Sequence, residues 1–260
     1  MIGSLLALLV SAAPAVEPGY AAYPYASGVY GDGYIYPYDA NTRYRMQCAN
    51  NGYSLMKAYN APSAYKMRLT GDGTKWAGDV ATSQRCELIN MTFYFNGQYV
   101  WSSYKFRINS SANSQRFFVV GQLWNDPIEG DPYTPPPIEL SYSPGKISLD
   151  VHTDTNMANG YYVAKSLGSF PVNDNEWYNI VTQYRTGPSG TGVIRLWVNG
   201  VLKVAASQEK IGFARSKHLF YKFGAYTGPM LTGSALIDAE YMNMEVSANS
   251  LRDRITAPLP

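Results

Sequence analysis

The residues of this chain that could do chemistry sit at strand spacing. In "HLFYKFGAYTG" (His218 to Gly228) alternate residues share a face if the segment is extended. His218, Phe220, Lys222, Gly224 and Tyr226 then line one face, and Leu219, Tyr221, Phe223 and Ala225 line an apolar one. An imidazole, an ammonium and a phenol around a glycine can bind an anion and move a proton. The same alternation pairs Arg85 with Glu87 in "SQRCELI" and Asp150 with His152 in "KISLDVH". In "FFVVGQLWND" it groups Phe118, Val120, Gln122 and Trp124 against Val119, Gly121 and Leu123. Gathered on one sheet, these polar faces would make a cationic, aromatic-lined groove. Guanidinium and ammonium groups would meet the carboxylates of an anionic sugar chain, and rings would stack on its pyranose faces. Each group also has a plain structural explanation: Arg85 with Glu87 as a surface ion pair of little worth, His152 as a hydrogen-bonded structural histidine, Gln122 as a satisfied buried amide. The case for a site rests on convergence.

The elements that must position these residues are strands. Charged residues make up 15% of the 260, against about 25% in ordinary domains. Aromatic residues reach 14%, with 23 tyrosines, a composition that favours β structure. Short alternating runs bounded by turns predict strands in "SAYKMRLT", "SQRCELI", "GQYVWSSYKFRI", "QRFFVVGQLWND", "IELSY", "GKISLDVHTD", "EWYNIVTQYRT", "HLFYKFGAYTG" and "ALIDAEYMNMEV". "GVIRLWVNGVLKVA" reads as two strands joined at Asn199-Gly200. Only short helices are expected, as in "SANSLRDR". At least eight strands without a long amphipathic helix predict an all-β fold, a sandwich or jelly roll.

Residues 1–16 combine an apolar run with small residues at Ala13-Pro14-Ala15 and are expected to be a signal peptide. Residues 17–42, rich in Tyr, Gly and Pro, are expected to be an arm or linker, and 43–260 one domain. A secreted protein could pair its two cysteines, Cys48 and Cys86. A net charge of +2 and no basic run exclude a nucleic-acid partner, and no segment is long and apolar enough for a membrane span. The histidines and cysteines share no metal-ligand spacing, so no cofactor is expected; loop calcium around Asp126, Glu129 and Asp131 stays open. A monomer is expected.

The face-sharing residues resemble a family. "FYKFGAY" (Phe220 to Tyr226) resembles the Lys-x-Gly-x-Tyr strand of β-jelly-roll polysaccharide lyases of the alginate lyase type. "RCEL" (Arg85 to Leu88) resembles their Arg-x-Glu strand, and "GQLWND" (Gly121 to Asp126) their glutamine strand, in the same chain order. The run through "GKISLDV", "EWYNIVTQYR" and "GVIRLWVNGVLKV" is similar to the heparin lyase I-like and glucuronan lyase branch, over roughly residues 43–246. The resemblance implies a concanavalin-like β-jelly-roll sandwich of two antiparallel sheets with a concave substrate groove, and β-elimination on an anionic, uronate-containing polysaccharide. It implies Tyr226 as catalytic tyrosine, Arg85 and Gln122 as the groups that neutralise the uronate carboxylate, and Lys222 as the motif lysine. Glu87, Trp124, Asn125 and His218 would complete the substrate surface. In one respect the chain departs from the pattern: Trp124 stands where the family carries a histidine after the glutamine. Either His152 or His218 substitutes, with His152 the candidate base, or the tyrosine acts alone, or activity is lost. The alternatives are a non-catalytic, lectin-like binding module, a glycoside hydrolase using Asp238 and Glu240 of "IDAEY", and a structural coat protein.

Overall fold

A computed structural model describes residues 20–22, 34–35, 43–58, 64–109, 117–127, 134–156 and 161–257. The described chain forms two antiparallel eight-stranded sheets. Across the first sheet run β1 (Tyr20–Ala22), β4 (Leu55–Ala58), β5 (Ala64–Thr70), β16 (Leu236–Ser247), β7 (Val100–Asn109), β12 (Tyr178–Arg185), β13 (Gly187–Val198) and β14 (Val201–Ile211). Across the second run β11 (Tyr161–Pro171), β10 (Lys146–Asn156), β9 (Ile138–Ser143), β8 (Phe118–Pro127), β15 (Ser216–Thr227), β6 (Gln84–Asn90), β3 (Tyr44–Gln47) and β2 (Tyr34–Ile35). The protein is thus the expected all-β jelly-roll sandwich.

Turn chemistry follows the sequence. Asn199 and Gly200, at φ 52° and 80°, join β13 to β14 as a primed hairpin turn. Gly145, at φ 75°, closes the turn between β9 and β10. The short helix expected in "SANSLRDR" is a 3-10 turn at Arg252–Arg254. Within the Tyr-rich segment, β1 pairs with β4 at the edge of one sheet and β2 with β3 at the edge of the other. The expected signal peptide, the rest of that segment, and Glu129 and Asp131 lie outside the described residues. Among the described residues no helix could cross a membrane, and no cluster of three His, Cys, Asp or Glu side chains could hold a metal.

The core lies between the sheets. Leu219, Tyr221, Phe223 and Ala225 of β15 are all buried in it, as the alternation of "HLFYKFGAYTG" requires. Strand β8 breaks that rule. Phe118, Val120 and Leu123 are all fully buried in the core, so simple alternation is wrong there. The register shifts between Val119 and Gly121. A bulge turns Val120 and Gly121 both inward and leaves Gln122 and Trp124 outward. Only glycine fits at 121, because a Cβ would meet the hydroxyls of Tyr221 and Tyr104 at 2.8 and 2.9 Å. Cys48 and Cys86 form the expected disulfide, linking the chain just past β3 to β6.

Candidate active site

The outer face of the second sheet carries the polar residues of β6, β8 and β15. Tyr226 pairs directly with Arg85, Gly224 with Glu87, and Lys222 with Gln122 on the other side. Paired residues share a face, so five of the expected site residues meet. Trp124 joins them, opposite Phe220.

Glu87 is the hub. It is almost fully buried and accepts a hydrogen bond from the Gln122 amide. Arg85 Nη1 donates to its Oε2 at 3.3 Å, and Lys222 Nζ lies 3.5 Å from the same oxygen. Lys222 also donates to Gln47 Oε1 at 3.1 Å and sits 4.5 Å from the Trp124 ring. Burial pushes the Lys222 ammonium below the ordinary lysine range, and Glu87 restores part of its charge. The lysine is therefore part of the floor rather than a free cation in the groove.

Arg85 is held on four sides. Its Nε donates to Asp79, and its guanidinium lies 4.9 Å from the Tyr226 ring and 5.4 Å from the Trp76 ring. Burial opposes its charge, but Glu87 and Asp79 more than offset this and hold its pKa above the ordinary arginine value. Asp79 and Trp76 come from the loop between β5 and β6 and went unmarked in the sequence. No spacing rule connects a loop carboxylate to a strand arginine; an acidic residue a few positions before Arg-x-Glu was the only signal. Burial raises the Asp79 carboxyl and Arg85 pulls it back down; its Oδ2 is buried without a partner. Within this cluster two cations, Arg85 and Lys222, face two carboxylates, Asp79 and Glu87, so the cluster itself is close to neutral, and Arg45, opposite Ile89 on the same face, adds a cation beside it.

Backbone geometry places the phenol. Gly224, at φ 141°, brings β15 so near β6 that a Cβ would lie 2.3 Å from the Cys86 carbonyl oxygen. The register of β15 against β8 shifts between Phe223 and Tyr226. Tyr241 of the opposite sheet supports this irregular stretch, its hydroxyl 2.7 Å from the Val120 carbonyl oxygen and 3.0 Å from that of Gly224. Tyr226 itself is half-buried, facing outward.

Three expected residues lie elsewhere. His152 is not beside the phenol. Its strand, β10, is three strands from β15, and it stands level with Trp124 and Phe220, on the order of 20 Å from Tyr226. It is buried, with Nδ1 2.7 Å from the Pro136 carbonyl oxygen, and burial lowers its pKa. His218 shares the groove face but sits eight residues along β15 from Tyr226, its Nε2 2.5 Å from Asp126. Asn125 faces the interior, pairs with the core residue Leu219 and donates to Thr134 Oγ1 at 2.9 Å. Ordinary alternation along β8 puts it on the face of Leu123, opposite Trp124.

A carboxyl not singled out before lies on the same face. Glu139 pairs with Gln122 on one side and Asp150 on the other. Burial, with Asp150 adding to it, pushes its pKa up to about 7. Asp238 and Glu240, the pair a hydrolase would need, belong to β16 in the other sheet, where they are tied to Arg68 and Arg107.

The jelly-roll sandwich thus carries an outward-facing floor of guanidinium, amide, carboxylate and phenol. The sequence also matches the profile of the polysaccharide lyase family over residues 44–242. The chain belongs to that family and is an enzyme acting on polysaccharides. Among solved structures it resembles the endo-β-1,4-glucuronan lyase of the fungus Trichoderma reesei at 16% identity, with a TM-score of 0.61, covering 85% of this chain and 95% of that one. The alginate lyase AlgAT5 of polysaccharide lyase family 7 matches at 16% identity and TM-score 0.53, covering 76% and 83% of the two chains. An alginate lyase from Pseudomonas aeruginosa matches at 15% identity and TM-score 0.52, covering 81% and 87%. At these identities the likeness is one of fold. A search of curated proteins found no match.

Proposed function

We propose that this lyase cleaves a uronate-containing polysaccharide by β-elimination, with Tyr226 as acid and base. The observation that carries this reading is the Arg85 guanidinium stacked 4.9 Å from the Tyr226 ring on the open face of paired strands. The substrate carboxylate would meet Arg85 and the Gln122 amide. Arg85 has N–H groups left beyond those given to Asp79 and Glu87, and an amide nitrogen carries two donors, one of them committed to Glu87. Neutralising the carboxylate stabilises the charge that develops at C5 as its proton leaves; one such donor is worth about 100- to 1,000-fold.

The phenolate form of Tyr226 takes the C5 proton. The C5–H electron pair becomes the C4=C5 double bond, the C4–O bond breaks, and the leaving oxygen takes a proton from the same phenol. Arg85 is the cation placed to stabilise the transient phenolate. With both histidines distant, the tyrosine-only route fits the arrangement best. Support for a uronate comes from the Arg-Gln-Tyr constellation and from neighbours named for glucuronan and alginate. The disulfide and the apolar N-terminal run support a secreted enzyme.

The test is incubation with glucuronan, alginate and heparin-type polymers while the ultraviolet absorbance of the unsaturated uronate is followed. Cleavage that leaves reducing ends without the double bond would overturn elimination.

A further inference from the structure

Beyond β6 the chain does something the floor does not require. Strand β6 ends at Asn90, where its neighbour Ile89 pairs with Lys222 of β15. The chain then bows out and pairs with β15 again at one residue. Tyr94 N–H donates to the Leu219 carbonyl, and Leu219 N–H to that of Tyr94, both at 2.8 Å. Tyr94 and Leu219 are buried, on the core face. Alternation therefore turns Phe93 and Phe95 to the groove face. They are 44% and 62% exposed, large apolar rings standing in water on a clamped backbone.

Phe93 adjoins the floor. The Phe93 ring lies 4.2 Å from that of His218 and 6.0 Å from that of Phe220. Phe220 pairs with Trp124, whose ring touches Lys222. His218 Nε2 contacts Asp126 at 2.5 Å and supplies a polar rim. From Tyr226 to His218 the face runs eight residues along β15, roughly 26 Å. Its Tyr226 end is polar and its far end aromatic. Exposed apolar surface beside a polar cleft marks a binding surface, and rigid rings bind at small entropic cost.

We propose that Phe93, Phe95 and Trp124, with the buried Phe220 ring supporting Phe93, form a stacking platform that holds the sugar chain of the same polysaccharide at a distance from the reacting bond. This rests on the lyase reading only for the position of the cleavage point. Continuity with the floor along β15 selects the polysaccharide as occupant over a second copy of this chain.

The experiment combines affinity electrophoresis in gels containing glucuronan or alginate with the absorbance assay, on wild type and a Phe93→Ala/Phe95→Ala variant. The wild type is expected to be retarded by a polymer it cleaves. The variant should bind about tenfold more weakly, with KM raised by a similar factor and kcat changed less than twofold, the size of losing well-placed aromatic anchors. Equal retardation and KM in both proteins would overturn the platform while leaving elimination intact. Retardation lost in the variant, with no cleavage by the wild type, would overturn the elimination reading and keep the platform. Loss of self-association in the variant, at unchanged polymer affinity, would overturn it in favour of a dimer surface. Phe220→Leu, which keeps a buried apolar side chain, should give a smaller affinity loss in the same direction.

Discussion

Two regions of this molecule bury strand-borne charges, and only one of them looks built for chemistry. On the first sheet Arg68 meets Asp238 through two 2.7 Å bonds, Arg107 meets both oxygens of Glu240 at 2.8 Å, and Lys66 lies 3.6 Å from Glu240. On the second sheet Arg85, Lys222, Asp79, Glu87 and Gln122 make an equally dense group. The first set is opposite charges in direct contact, with Nε of Arg107 buried and unpartnered. The second gathers three donors on one carboxylate, leaves an Asp79 oxygen unpaired, and lays its arginine against a half-buried phenol. Buried charge is thus a poor marker of a site by itself. Incomplete pairing beside an accessible proton carrier is a better one.

Substitutions in the two regions should separate these characters. The largest effect is expected from Tyr226→Phe, which should lower the elimination rate by at least about 100-fold and leave the melting temperature unchanged. Arg85→Lys keeps the charge but loses the planar fork; kcat should fall about 100-fold or more. Glu87→Gln and Asp238→Asn each strand a buried cation, and urea unfolding should show about 3–5 kcal/mol of lost stability for both. Only the Glu87 variant should lose kcat in its folded fraction. Equal kcat loss in both would erase the contrast between the regions.

Smaller effects test the surroundings of the floor. Glu139 has a folded pKa raised from 4.5 to about 7, so the native state holds its proton more tightly than the unfolded chain. Its contribution is therefore complete below the unfolded value and is lost as pH rises through about 7. Glu139→Gln should accordingly stabilise the protein above that pH by up to about 3 kcal/mol, at about 1.4 kcal/mol per unit, and change little in acid. Thermal melts across pH check this. Tyr241→Phe removes one hydroxyl from beneath the bulge; about 1 kcal/mol of stability should go, with a several-fold fall in kcat at unchanged KM.

Much of this was legible in the sequence. The alternation of His218 to Tyr226 is the alternation of β15, but the pairing of Arg85 with Tyr226 comes from the strand order of the sheet, which alternation does not carry. The glutamine strand was legible only in part. Its bulge lets Phe118 and Val120 enter the core while Gln122 stays out, and a period of two cannot anticipate an inserted residue. Asn125 follows Leu123 by two, so alternation itself turns it inward, away from Gln122 and Trp124. Asp79 and Trp76 reach Arg85 from a loop, where no period operates. His152 matched in residue type and face but was misjudged in distance, because strand order within a sheet is not written in local pattern. Strand β11, from Tyr161 to Pro171, carries the run Leu167-Gly168-Ser169 and was passed over for lack of clean alternation.

The central claim is that the phenol stacked on Arg85 carries the elimination. Unsaturated product released from a uronate polymer, measured side by side for wild type and Tyr226→Phe at equal folded concentration, tests it most directly. The account predicts steady formation by the wild type and none above background by the variant. A variant that retains the wild-type rate would contradict it.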